Sequence, residues 1–169
     1  MDNSQCRDML VRLYELPKTN PALETLLDKG IEIRRALVVE RHQVVQWVRD
    51  QYGDGWADEC EAGFAGHPIQ CFIATQHNRI VGFSVYNAIA LGTAGPVGVD
   101  SALRGSGVGK ALFLDMLHAM HGQGYTYAVI GWVAPDTQKF FEKCVNAEVI
   151  ERSAPKTGMY RGLVQGPMN

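Results

Sequence analysis

The sequence has little of what marks several large classes of protein. No apolar run approaches the roughly 18 residues that a membrane-spanning helix needs. Basic residues are not in excess: 16 Lys and Arg stand against 18 Asp and Glu, a formal net charge of -2. Surfaces for nucleic acid or anionic lipid depend on a large basic surplus, so neither partner is expected. A local basic pocket for one phosphorylated ligand is still compatible with that balance. Cysteine is scarce, and Cys6, Cys60, Cys71 and Cys144 form no C-x-x-C pair and fit no zinc spacing. The histidines show neither H-x-x-x-H nor H-E-x-x-H spacing, so no metal is expected. Met1 to Gln5 lack the basic and apolar regions of a signal peptide, which points to reduced thiols and a cytoplasmic location. Repeats, linkers and low-complexity tracts are also missing. What is present is a chain of 169 residues, 46% hydrophobic, enough for a single packed domain.

Hydrophobic periodicity divides the chain into short elements. Met9 to Leu16 reads as a strand ending at Pro17, followed by a turn and a short helix begun by Asn20-Pro21 and stopped by Gly30. Ile31 to Leu37 alternates as a half-buried strand. Glu40 to Tyr52 is helical, Gly53 and Gly55 end it, and Trp56 to Ala65 is a second helix. Cys71 to Ala74 and Ile80 to Tyr86 form a hairpin around Gln76-His77-Asn78-Arg79. Ala88 to Asp100 is a third strand whose internal glycines suggest a bulge or a close ligand approach. Val108, Ala111, Leu112, Met116, Leu117 and Met120 share one helical face. Tyr125 to Val133 is a near-continuous apolar run, the pattern of a buried central strand. A helix over Thr137 to Val145 follows, then two closing strands at Val149 to Arg152 and Gly158 to Val164. This order makes an α/β domain with a mixed sheet.

The most informative segment is Arg104-Gly105-Ser106-Gly107-Val108-Gly109-Lys110, which joins a strand to an amphipathic helix. Backbone N–H groups at such a start have no intrahelical partner, and the helix dipole adds positive potential. Glycines let a phosphate approach the backbone, and Arg104 and Lys110 add charge at the rim. A P-loop needs Gly where Arg104 stands and Ser or Thr where Ala111 stands. A dinucleotide fingerprint needs G-x-G-x-x-G, whereas Gly105, Gly107 and Gly109 fall as G-x-G-x-G. The pattern R-x-x-G-x-G fits fully. A glycine-rich helix start without a ligand is the competing explanation.

Val97-Gly98-Val99-Asp100, the glycine turn and Ala111-Leu112 together resemble the coenzyme-A-binding motif of the GNAT superfamily of N-acetyltransferases. Phe140-Phe141-Glu142-Lys143 resembles that family's F-Y-E-K helix. Ile31 to Ala36 looks like its first strand, and Arg79 to Phe83 like its third. The resemblance runs from about Ile31 to Val164, leaving residues 1–30 as an N-terminal addition packed on an acetyltransferase domain, 31–169. It implies a twisted mixed sheet with helices on both faces, splayed between the family's fourth and fifth strands, with acetyl-CoA in the gap. Val97, Gly98 and Val99 would lie along the pantetheine arm, and Arg104, Gly105, Ser106, Gly107, Val108, Gly109 and Lys110 would hold the pyrophosphate, with Phe141 near the sulfur. The implied activity is acetyl transfer to a primary amine, on a small molecule or a protein, by direct attack in a ternary complex. The family pattern also allows a homodimer.

The acid–base groups are less legible. The family's usual tyrosine acid falls at Phe141, which has no proton to give. Cys144, about one helical turn on, is an alternative donor or simply a buried apolar residue. The fourth-strand segment carries no carboxylate, which leaves Asp58, Glu59 and Glu61, with Glu59 preferred as base, and Asp100 as base or turn former. Trp56, Tyr86 and Trp132 are candidates for the acceptor pocket, and core packing explains each equally well. Two functions stay open: an acetyltransferase, and a non-catalytic acyl-CoA-binding sensor or regulatory module.

Overall fold

The computed structural model describes residues 3–164. Its strands are β1 (Arg7–Arg12), β2 (Ile31–Arg35), β3 (Cys71–Gln76), β4 (Arg79–Tyr86), β5 (Ala94–Val99), β6 (Tyr127–Val133) and β7 (Glu148–Val149). The helices are α1 (Ala22–Asp28), α2 (Arg41–Tyr52), α3 (Asp54–Gly63), α4 (Val108–Gly122) and α5 (Pro135–Val145).

The strands form two antiparallel sheets, ordered β2-β3-β4-β5 and β6-β1-β7. A parallel bridge, Thr93 to Val129, joins them, reinforced by the Val129 N–H donating to Gly92 O at 2.9 Å. Beyond that bridge β5 and β6 diverge. Period-2 alternation on β3 sends Phe72 and Ala74 to one face, and Cys71 and Ile73 to the other. The first face meets α4, whose Val108, Ala111, Leu112, Met116, Leu117 and Met120 are fully buried. The second meets α2 and α3 through Val44, Val48, Ala57 and Cys60. Helices therefore cover both faces of the first sheet, and each fully buried large aliphatic side chain contributes about 1.5–3 kcal/mol.

Two bulges open the gap. Ser84 pairs with Val97 and Tyr86 with Ala94, so Gly95 and Pro96 on β5 oppose Val85 alone. Arg7 pairs with Val133 and Met9 with Ile130, so Gly131 and Trp132 on β6 oppose Asp8 alone. An extra residue bends a strand and increases its twist. The two facing strands thus each bend at the same level, just past the bridge that holds them together.

Several sequence expectations are corrected. Strand β1 begins two residues earlier and stops at Arg12, because Leu13–Glu15 turn as a 3-10 helix. The N-terminal strand β1 lies within the second sheet, pairing with both β6 and β7. Asn20 does not cap α1, because its side-chain amide donates to Ala111 O at 2.8 Å. Gly55 lies inside α3. The expected strand over Ala88 to Asp100 is β only from Ala94, because Asn87 and Gly92 adopt positive φ and close a loop. Val149 to Arg152 shrinks to the two-residue β7. Gly158 to Val164 is not a strand: β1 already has a partner on each side, and Gly162, at φ +77°, turns the chain.

Candidate active site

The divergence of β5 and β6 leaves a cleft of about 1170 Å³. One wall is β5 and the glycine turn, the other is β6 and the start of α5. Residues of α3 and of the C-terminal loop close one end.

At the opposite end the chain makes a short turn before α4. The Asp100 carboxylate accepts the Ala102 N–H at 2.9 Å, which commits this residue to the turn. The Arg104 and Ser106 N–H groups donate to Ser101 O and Leu103 O at 3.4 and 3.2 Å. The Ser106 hydroxyl also donates to Leu103 O, at 2.5 Å. Gly105 and Gly107 take φ of +79° and +92°, a backbone that favours glycine. The first bond of α4 runs from Ala111 N–H to Gly107 O, at 3.0 Å. The amides of Gly105, Gly107, Val108, Gly109 and Lys110 are therefore left without partners among the described residues, at the positive end of the helix dipole. A Cβ on Gly109 would meet Val99 at 3.3 Å, so glycine there lets the helix start close against β5. Arg104 and Lys110 are exposed and line the same end. Ser106 directs both its amide and its hydroxyl to Leu103 O, whereas Val108 offers its amide while its side chain sits in the core.

Strand β5 turns part of its backbone to the cleft. Its Asp100 N–H end bonds Val81 O at 2.8 Å, and inward-facing groups alternate along an antiparallel strand. The groups of Val97 and Val99 therefore face away from β4. The Tyr52 hydroxyl confirms the direction by donating to Val99 O at 2.7 Å. Pro96 has no N–H, so Val97 is the first residue past the bulge to offer an amide. Gly98 is required by close approach, because a Cβ there would lie 2.6 Å from the Tyr52 ring.

The other end is aromatic and acidic. Tyr52 and Trp56 stack at 4.7 Å and 25°. Asp58 and Glu59 of α3 line the same space. Burial pushes the half-buried Glu59 carboxyl up to about 7, because the anion loses hydration there without gaining a partner. Across the cleft Trp132 stacks on Tyr160 at 5.1 Å and 26°. Burial, then the negative charges of Glu59 and Asp8, raise the Tyr160 hydroxyl well above its ordinary range, so it stays protonated.

Asp8 sets this geometry from outside the cleft. Its buried carboxylate accepts the Trp132 N–H at 2.9 Å, holding the bulged residue at φ +54°. It also accepts the Met159 N–H at 3.3 Å, next to Tyr160. The Asp8 N–H in turn donates to the Ser153 hydroxyl at 2.7 Å. A Cβ at Gly158 would come within 2.8 Å of Asp8 Oδ2, so the loop fits only with glycine there.

The structure thus brings Trp56, Glu59, Trp132, Val97, Gly98, Val99, Arg104, Gly105, Gly107, Gly109, Lys110 and Phe141 to one cleft. Tyr86 is not among them. It is fully buried beneath α4, where its hydroxyl accepts from Gln123 at 2.6 Å and from Arg35 at 3.3 Å. Glu61 points elsewhere, 3.7 Å from Arg41. Cys144 is a buried thiol outside the cleft, pushed up to about 11 by desolvation. Phe141 packs on Phe113 and Phe140 at 5.1 and 5.0 Å. Sequence reasoning missed Tyr52, Tyr160 and Asp8. Tyr52 was readable as the last aromatic of a helix. The other two act through contacts between opposite ends of the chain, which no local pattern reports.

Residues 67–144 match the family model described as an acetyltransferase (GNAT) domain. No curated protein matches the chain by sequence. Its fold recurs in the GCN5-related glucosamine N-acetyltransferase region of a fungal multi-domain GH3 β-N-acetylglucosaminidase, with TM-score 0.68 and 14% identity over 86% of this chain and 20% of that one. A GCN5-related N-acetyltransferase from Sphaerobacter thermophilus gives TM-score 0.59 and 18% identity, over 86% of this chain and 49% of that one. A GNAT family acetyltransferase from Brucella melitensis, in complex with acetyl-CoA, gives TM-score 0.51 and 17% identity over 71% and 86%. The chain spans only a fifth to a half of the first two structures. Residues 67–144, which carry the glycine turn and the two strands that splay apart, are thus similar to a GNAT acetyltransferase domain, and the chain shares its fold with acetyltransferase structures.

Proposed function

We propose that the protein transfers an acetyl group from acetyl-CoA to a primary amine by direct attack in a ternary complex. The carrying observation is that unpartnered amides of the glycine turn and the partnerless Glu59 carboxylate line one continuous cleft. The residues fit the cofactor. The free amides of Gly105 and Gly107 to Lys110, with Arg104 and Lys110, suit a pyrophosphate. The exposed backbone of Val97 and Val99 suits an extended amide-bearing arm. Bound acetyl-CoA supplies an activated thioester carbonyl.

The chain's own groups do the rest. Glu59, half ionised at about pH 7 and increasingly so above it, takes a proton from the acceptor ammonium and frees its lone pair. The Val97 N–H, which faces away from β4, would polarise the thioester oxygen as negative charge develops there. The amine nitrogen forms the new C–N bond, the C–S bond breaks, the thiolate leaves with the electron pair, and the second proton on that nitrogen passes to solvent as the neutral amide forms. Phe141 cannot protonate that thiolate. The Tyr160 hydroxyl is the uncommitted phenol in the cleft, since Tyr52 already donates to Val99 O. A thiol near pKa 8.5 departs tolerably as an anion, so the missing acid slows the step without blocking it.

Phe141 is also the observation that favours the second reading, an acyl-CoA sensor without turnover. A panel of primary amines with acetyl-CoA, read as free thiol release, separates the two. Thiol release above background with any amine supports transfer. Tight acetyl-CoA binding without release on any amine establishes the sensor.

A further inference from the structure

The two ends of the cleft differ in charge as well as shape. Among the described residues that line it, Arg104 and Lys110 are the cations, and both stand at the glycine turn. At the acceptor end the charged side chains are Asp58 and Glu59, with no Lys, Arg or His among them. The walls there are the stacked pairs Tyr52–Trp56 and Trp132–Tyr160, within 26° of parallel. Flat π-faces favour flat, weakly hydrated bodies and attract cations through their quadrupole. An acceptor carboxylate or phosphate would sit beside two carboxylates with no counter-charge, while a protonated amine is matched. The two cations of the cleft, Arg104 and Lys110, stand at the other end, beside the turn proposed to hold the pyrophosphate.

Resting on the function proposed above, we infer that the acceptor is a primary amine borne on a flat, uncharged body and carrying no carboxylate or phosphate. An aryl ring and a pyranose ring both have that chemistry. The absence of a cation is what decides the class: a zwitterionic amino acid and a phosphorylated amino sugar each bring an anion that this end repels. Discrimination of this kind comes from an unfavourable pairing with the wrong ligand as much as from contacts to the right one.

The test pairs each neutral-bodied amine with its anionic counterpart: tryptamine with tryptophan, and glucosamine with glucosamine 6-phosphate. The expected kcat/KM favours the first member of each pair by at least about tenfold, the effect of one uncompensated charge contact. The better of tryptamine and glucosamine tells an aryl from a pyranose body. Equal or reversed preference within both pairs overturns the inference. Calorimetric binding of the same four amines to the protein saturated with CoA gives the preference independently of turnover. If no amine releases thiol, the proposed function fails, yet the binding preference still decides the acceptor class. Exposed Asp58 offers a second handle. Asp58→Lys should narrow the tryptamine-to-tryptophan ratio by about tenfold with acetyl-CoA affinity unchanged, and an unchanged ratio contradicts the charge argument.

Discussion

The two ends of the cleft are built in opposite ways. The end proposed to hold the phosphates consists of consecutive residues, Gly105 to Lys110, and offers backbone N–H groups whose direction follows from two positive-φ glycines and a helix start. The proposed acceptor end is assembled from four distant stretches: β1, the α2–α3 pair, β6 and the C-terminal loop. It works through side chains, and Asp8 holds two of those stretches in place. The first end is rigid by local geometry. The second depends on long-range packing, so it should be easier to loosen without losing the fold.

That contrast predicts a graded series of effects. The largest is at Gly107. A side chain there is strained at φ +92°, which should disturb the adjoining free amides, so Gly107→Val should weaken acetyl-CoA binding by about 100-fold or more, the loss of two charge-assisted hydrogen bonds. Calorimetry reads the affinity, and circular dichroism checks the fold.

Next is Glu59→Gln, which should lower kcat by about 100-fold, the low end for a positioned general base. Because Glu59 must be ionised to act, wild-type activity should rise with pH through about 7, and the variant should lose that inflection. Stability moves the opposite way. The folded-state pKa lies above the unfolded value near 4.5, so ionising Glu59 costs the native state increasingly from about pH 4.5 to 7 and steadily above. Thermal melts of Glu59→Gln and wild type should coincide below pH 4.5, with the variant more stable at pH 8.

Asp8→Ala probes the long-range end. It leaves the Trp132 and Met159 N–H groups without their acceptor, at about 1–3 kcal/mol for each fully buried donor. The expected result is a lower melting temperature and a KM for the amine raised about tenfold, with acetyl-CoA affinity held within about twofold. The smallest effect is at Tyr160→Phe, which removes a proton donor from a leaving group that departs as an anion; kcat should fall by roughly three- to tenfold.

The same contrast explains what the sequence revealed. The glycine turn, the β3–β4 hairpin and the buried face of α4 are local patterns, and all three stand where periodicity and spacing put them. The bulge inferred from the glycines of β5 is present at Gly95-Pro96. The misread elements share a non-local cause. Gly158 to Val164 has strand-forming residues, but no sheet edge beside β1 is available to it. Tyr86 looks like a pocket aromatic until α4 covers it and Gln123 and Arg35 take its hydroxyl. Asp8 reads as a solvated charge in a six-residue strand, whereas its partner Met159 lies 151 residues away. Side chains that act across such distances leave no signature in their own neighbourhood.

The division of labour between the two ends is tested most directly by measuring acetyl-CoA Kd and kcat in Gly107→Val and Glu59→Gln side by side. The account predicts that Gly107→Val loses affinity, while Glu59→Gln keeps Kd within about twofold and loses turnover. Equal loss of affinity in both variants, or full turnover in Glu59→Gln, would contradict it.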